Sequence, residues 1–104
     1  MTSFHETFIN AIHTKTILKV TMDSKEKGLI VRTCAPLDYG PHKRFKDKSD
    51  RYMFYHFETG HPSPMLPEQI RSVEISSEHF GPEDVITWDP PYDWHIARDW
   101  GIYS

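Results

Sequence analysis

The side chains best placed to do chemistry gather between His42 and Arg51, in the run His-Lys-Arg-Phe-Lys-Asp-Lys-Ser-Asp-Arg. Lys43, Arg44, Lys46, Lys48 and Arg51 supply positive charge that Asp47 and Asp50 dilute without cancelling. Phe45 stands among these bases, and the aromatic stretch Tyr52-Met53-Phe54-Tyr55-His56-Phe57 follows at once. Cations beside exposed aromatic rings suit a ligand that joins phosphate to a flat base. The charges hold the phosphates while a ring such as Phe45 or Tyr55 stacks. The competing reading is a long solvated loop whose charges only keep it soluble. Arg32 and Arg71 lie inside apolar strand patterns. Each either faces solvent or projects into a pocket, where a guanidinium grips a phosphate or carboxylate through two parallel bonds.

The other reactive types form no pattern of known use. The seven His include no His-Glu-x-x-His, and neither His56 with His61 nor His5 with His13 is a helical i, i+4 pair. Asp89, Asp93, His95 and Asp99 offer oxygen and nitrogen donors, but the Pro and Trp between them set no metal geometry. No metal and no cofactor are expected. Cys34 is the one cysteine; in an apolar strand it is a small core residue more readily than a nucleophile. No glycine-rich phosphate loop is present. A non-enzymatic protein is therefore expected, and a lone thiol suits a reducing cytoplasm.

The segment from Glu78 to Asp99 carries Glu78, Glu83, Asp84, Asp89, Asp93 and Asp99 against the single base Arg98, and Trp88, Trp94 and Trp100 all fall near or within it. Disordered segments are poor in aromatics, so this one folds back on its own domain or docks on a partner. Trp is enriched at interface hot spots, which makes Trp88, Trp94 and Trp100 the candidate protein-interaction residues, toward another protein or a second copy.

The elements that must position these groups follow from periodicity. Ser3-Phe4-His5-Glu6 has the form of a capping box, and Phe4, Phe8, Ile9, Ala11 and Ile12 recur on one helical face, predicting a helix over 4–13. Strand patterns follow. Thr16 to Met22 places Leu18, Val20 and Met22 inward. Leu29 to Leu37 is closed by Pro36, which cannot donate to a ladder. The aromatic strand sets Tyr52, Phe54 and His56 on one face and Met53, Tyr55 and Phe57 on the other, so both faces are covered. Ile70 to Ile75 alternates with an ambiguous register. Tyr39-Gly40-Pro41 opens the longest loop, 38–50, and Thr59 to Pro64 is expected as a turn. Pro82 begins a short helical turn, and Asp93 is expected to cap another through Asp99.

The order helix, strand, strand ending in Arg32-x-x-x-Pro36-Leu37, aromatic strand Tyr52 to Phe57, Pro break, strand Ile70-Arg71-Ser72-Val73, then Phe80-x-Pro82 resembles the WYL family. These are small SH3-like barrels found mostly in bacterial transcription regulators. The family's Trp-Tyr-Leu corresponds to Tyr52-Met53-Phe54, and its ligand-contacting base before the last core strand is replaced by Gln69. The resemblance implies a stand-alone or degenerate member and lends Arg32 a ligand-binding role.

The expected protein is one all-β domain over residues 1–104, a small SH3-like barrel of about five strands over 16–76 with the N-terminal helix and an acidic Trp-rich segment over 77–104. Its expected function is binding, in a regulatory or accessory role, of an anionic ligand (a nucleotide or nucleic acid) through Arg32, Lys43, Arg44, Phe45, Arg51 and Tyr55. Protein interaction or self-assembly through the Trp-rich segment is the alternative. A cytoplasmic, soluble protein without a membrane partner is expected, because no apolar run approaches the length of a span.

Overall fold

The computed structural model describes residues 4–24, 26–42 and 46–104. Helix α1 (Phe4–Thr14) leads into β1 (Thr16–Ser24), β2 (Gly28–Pro41), β3 (Asp50–His56), β4 (His61–Met65), a 3-10 turn (Pro67–Gln69) and β5 (Ile70–His79). A single helical turn, α2 (Pro82–Val85), and a 3-10 turn (Gly101–Tyr103) finish the chain. The strands form one antiparallel sheet in the order β4-β3-β2-β1-β5. Long β2 is shared: its first half pairs with β1 up to Cys34, and its second half pairs with β3 from Cys34 onward. The 3-10 turn that joins β4 to β5 packs against both β1 and β3. This is the strand order of a small SH3-like barrel. Among the described residues no helix is long and apolar enough to cross a membrane.

Helix α1 buries Phe4, Phe8, Ala11 and Ile12, the stripe its spacing predicts. Phe8 meets Tyr52 and Phe54 edge-on, with ring centroids 4.8 and 5.2 Å apart. Each such buried side chain contributes roughly 1.5–3 kcal/mol by removal from water. Lys15, at φ 55, stops the helix in the left-handed conformation. Ser3 of the expected capping box lies outside the described residues. Leu18, Val20 and Met22 are buried, and β3 buries Tyr52, Phe54 and His56 while Met53, Tyr55 and Phe57 are half-buried on its other face. Gly28, at φ 72, closes the β1–β2 hairpin opposite Ser24.

Several sequence expectations are corrected. Strand β2 does not end at Leu37 but continues through Tyr39-Gly40-Pro41, which pair with Tyr52, Arg51 and Asp50. Pro36 sits beyond the last β1 partner, on a stretch whose second edge carries no ladder, beside a bulge between Pro36 and Asp38. A missing N–H therefore costs nothing there. His61 to Met65 is a strand, not a turn. Pro62 and Pro64 are tolerated because β4 is an edge strand and both can turn their nitrogens outward. In β5 a register shift opposite Thr21 and Met22 lets both Ile70 and Val73 turn inward, which resolves the ambiguous alternation. No helix forms over 93–99; that stretch is irregular with a bend at His95 and Ile96, whose amides bond to Asp38 instead of to a helix carbonyl.

Candidate functional site

The Trp-rich tail folds back over its own barrel, and Asp38 holds it there. The bulge in β2 turns Asp38 into the interior. Its carboxylate accepts the amide of His95 at 2.9 and 3.1 Å and that of Ile96 at 3.0 Å. Arg98 donates to the same group through Nη2 at 3.3 Å. The Arg98 guanidinium lies over Trp94 at 3.9 Å and Trp100 at 4.5 Å, and its side chain is 0% exposed. Burial pushes its pKa down to about 10, with Asp38 acting the other way, so it stays charged at neutral pH. Trp100 is core, 3% exposed, and donates its indole N–H to the Ile12 carbonyl of α1 at 2.9 Å. Gly40 is required for the close approach of the tail: a Cβ there would stand 2.7 Å from the His95 ring.

Between tail and barrel this leaves an aromatic cleft of about 250 Å³. Trp88, Tyr92 and Trp94 line it with Met53 from the outer face of β3 and His42 from the end of β2. The three rings are mutual neighbours, with centroids 6.1 to 6.3 Å apart. Trp88 is 37% exposed at the rim. Tyr55 and Phe57 extend the same face of β3, edge to face at 5.2 Å. The chain runs from His42 straight into the basic run, of which Lys46 and Lys48 are described and exposed.

A second cleft, about 310 Å³, opens elsewhere on the barrel and includes Arg32, His56, His61, Ser63 and Gln69. His56 comes from the buried face of β3, and Arg32 from the first half of β2. The His56 Nδ1 faces the Cys34 thiol at 4.0 Å, and its buried Nε2 has no hydrogen-bond partner. Burial, with the charge of Arg32 added, lowers the pKa of His56 below 6.5 despite Glu58. The unfolded chain therefore takes up a proton first as pH falls, so the His56 contribution to stability is lost below about pH 6.5. We expect His56→Gln to flatten the decline of urea-unfolding free energy across that range; an unchanged slope would show that His56 is not held neutral. Burial, with Glu58 adding to it, pushes the Cys34 thiol up to about 12, so it is protonated and unsuited to nucleophilic attack.

The residues expected to act together are divided. Lys43, Arg44 and Phe45 lie outside the described residues. Arg51 is buried at the start of β3 and bridges to Asp47 at 3.3 Å. Tyr55 is half-buried on the outer face of β3, whereas Arg32 belongs to the second cleft. Arg51 pairs with Gly40 and Arg32 with Val20, at opposite ends of β2. Of the tail tryptophans only Trp88 is exposed. Sequence reasoning missed Asp38, Tyr92 and His95, whose roles depend on contacts far along the chain, and His56. The signal for His56 was present, since it is a polar residue on the buried side of an alternating strand. No family model, curated protein or solved structure matches this chain. Among the described residues no three His, Cys, Asp or Glu side chains gather as metal ligands.

Proposed function

We propose that this chain is a non-enzymatic module that binds single-stranded nucleic acid or a nucleotide, with a base in the aromatic cleft and phosphates along the basic run. The observation that carries the reading is the convergence of Trp88, Tyr92 and Trp94 on one cleft whose wall, His42, leads directly into Lys43 and Arg44. A flat base stacks on any such ring regardless of sequence, and Lys or Arg side chains answer the phosphates. Met53, Tyr55 and Phe57 offer a track for neighbouring nucleotides. Asp93 also lines the cleft, but it is already engaged within the protein. Self-assembly through the tail is the weaker reading, because Trp94 and Trp100 bury their rings against this chain. The pattern of residue types that resembles the WYL family would fit an accessory, regulatory role.

A mixed-sequence DNA oligonucleotide titrated against the full chain, followed by Trp fluorescence and amide shifts, tests this. Binding should weaken steeply between about 50 and about 200 mM salt as counterions are released. Trp88→Ala should weaken it by about 5- to 150-fold, the value of one stacked base. Lys46→Ala and Lys48→Ala should each flatten the log–log salt dependence by about 0.7 if each meets one phosphate. An absence of shifts around Met53 and Trp88 at the lower salt would sink the proposal.

A further inference from the structure

The second cleft shares no lining residue with the aromatic one and presents a different chemistry. Among the described residues the arginine ion pairs are Arg51–Asp47, Arg71–Asp23 and Arg98–Asp38, and Arg32 is in none of them. Arg32 is half-buried in the wall of the cleft. His56 forms part of the same wall, and its buried Nε2 lacks a partner. A buried polar atom left unpaired is costly and calls for a missing partner.

The protonation of that atom is tied to its neighbour through the tautomer of the ring. The Cys34 thiol is buried and stands 4.0 Å from the His56 Nδ1, and we take its S–H as the donor of that contact. A neutral imidazole that accepts at Nδ1 carries its hydrogen on Nε2. Gln69 is fixed in the same way: its Oε1 accepts the Leu66 amide at 3.0 Å, which leaves its amino group as a donor. In that tautomer the residues lining the cleft offer three donors, the Arg32 guanidinium, the His56 Nε2–H and the Gln69 amino group.

The nearby acids are already occupied. Asp23 bridges to Arg71 at 2.9 Å. Both carboxylate oxygens of Glu58 take the Thr33 amide, at 2.8 and 3.0 Å. The charged and titratable groups around His56 are therefore Arg32 and Cys34 on β2, Glu58 after β3, His61 on β4 and Asp23 on β1.

We propose that this cleft is a separate site for a small oxyanion, gripped by Arg32 and hydrogen-bonded by His56 Nε2–H, with Gln69 as a further donor. A carboxylate and a phosphate both present two or more oxygens to such a set. The occupant is a small metabolite bearing one of these groups, and the site is independent of the nucleic-acid surface.

The test is an NMR titration of the full chain at neutral pH and fixed ionic strength, reading the His56 ring nitrogens and the Arg32 side chain. Inorganic phosphate is one probe and succinate the other. Saturable shifts of both groups are expected, and the apparent pKa of His56 should rise on saturation, because an oxyanion favours the imidazolium. A response to only one probe identifies which oxyanion the site takes. Arg32→Gln, an exchange on a half-exposed strand position, should weaken binding about tenfold or more. Arg32→Lys should fall between, keeping the charge and losing the planar fork. Each variant is first checked for an unchanged amide spectrum. Shifts that grow linearly without saturation, an unmoved His56 pKa, or equal affinity in Arg32→Gln would overturn the proposal and leave a cleft that holds only water.

Discussion

Asp38→Ala is expected to lower stability by about 3–5 kcal/mol, the cost of stranding one partner of a buried ion pair. The argument rests on what Asp38 holds. Its carboxylate is the acceptor for two tail amides, His95 and Ile96, and for Arg98 Nη2. Arg98 cannot escape to water, since its side chain is fully buried with Trp94 against one part of it and Trp100 against another. Its Nη1 already has no hydrogen-bond partner. Ring contacts of this kind contribute about 2 kcal/mol when desolvated, too little to replace a counter-charge. Asp38→Asn keeps one acceptor oxygen for the amides while losing the charge and exchanging the second oxygen for an NH2 donor, so it should cost less than alanine. Adding Arg98→Met to Asp38→Ala should recover much of the loss, because apolar groups of similar volume often replace a buried pair without penalty. Urea unfolding followed by far-ultraviolet dichroism and Trp fluorescence gives the numbers. Amide exchange at His95 and Ile96 should accelerate in step. A loss under about 1 kcal/mol, within the range of an ordinary surface ion pair, would mean that Asp38 does not fasten the tail.

The parts of this protein legible in its sequence are those governed by local periodicity. The stripe Phe4, Phe8, Ala11 and Ile12 announces α1, and the alternation of Tyr52, Phe54 and His56 announces β3, because each pattern is set by the burial of one face. Proline misled wherever its meaning depended on which edge of a strand it occupied. Pro36, Pro62 and Pro64 look like breaks, yet each sits where no ladder needs its missing N–H. Tyr39-Gly40-Pro41 looks like a turn, but Gly40 is needed for the approach of His95 from the distant tail.

The candidate site was legible only in its ingredients. Composition marked the basic run and the Trp-rich tail, while the docking of the tail on the barrel depends on Asp38, which nothing near it in sequence marks out. Asp93 was expected to cap a helix by a local rule. A tertiary acceptor took the neighbouring amides instead, and the helix did not form. The same non-local logic separates Arg32 from Arg51. Residue type made them one set, and the length of β2 puts them in different places.

Trp100→Ala should cost about 3–5 kcal/mol, in the range of a large ring removed from a core. Trp100 lies in the tail by sequence and in the core by packing. It meets Phe80 edge-on at 5.5 Å and Trp94 at 5.8 Å, and it forms one of the two ring walls around Arg98. Its indole N–H also serves α1, donating to the Ile12 carbonyl, one of the helix-end acceptors that no amide of the helix can reach. Trp100→Phe separates these roles: the ring largely survives and the donor is lost, so a cost of about 1–3 kcal/mol is expected from the buried carbonyl left bare. Thermal and urea unfolding rank the two variants. If alanine costs no more than phenylalanine, the cavity is unimportant and the bond to α1 carries the contribution. If both cost under about 1 kcal/mol, the tail is an appendage rather than part of the core. The consequence for function is distinct from that of Trp88→Ala. Loss of Trp100 should loosen the cleft by releasing Trp94, lowering stability and oligonucleotide affinity together, whereas loss of the rim residue Trp88 should lower affinity alone.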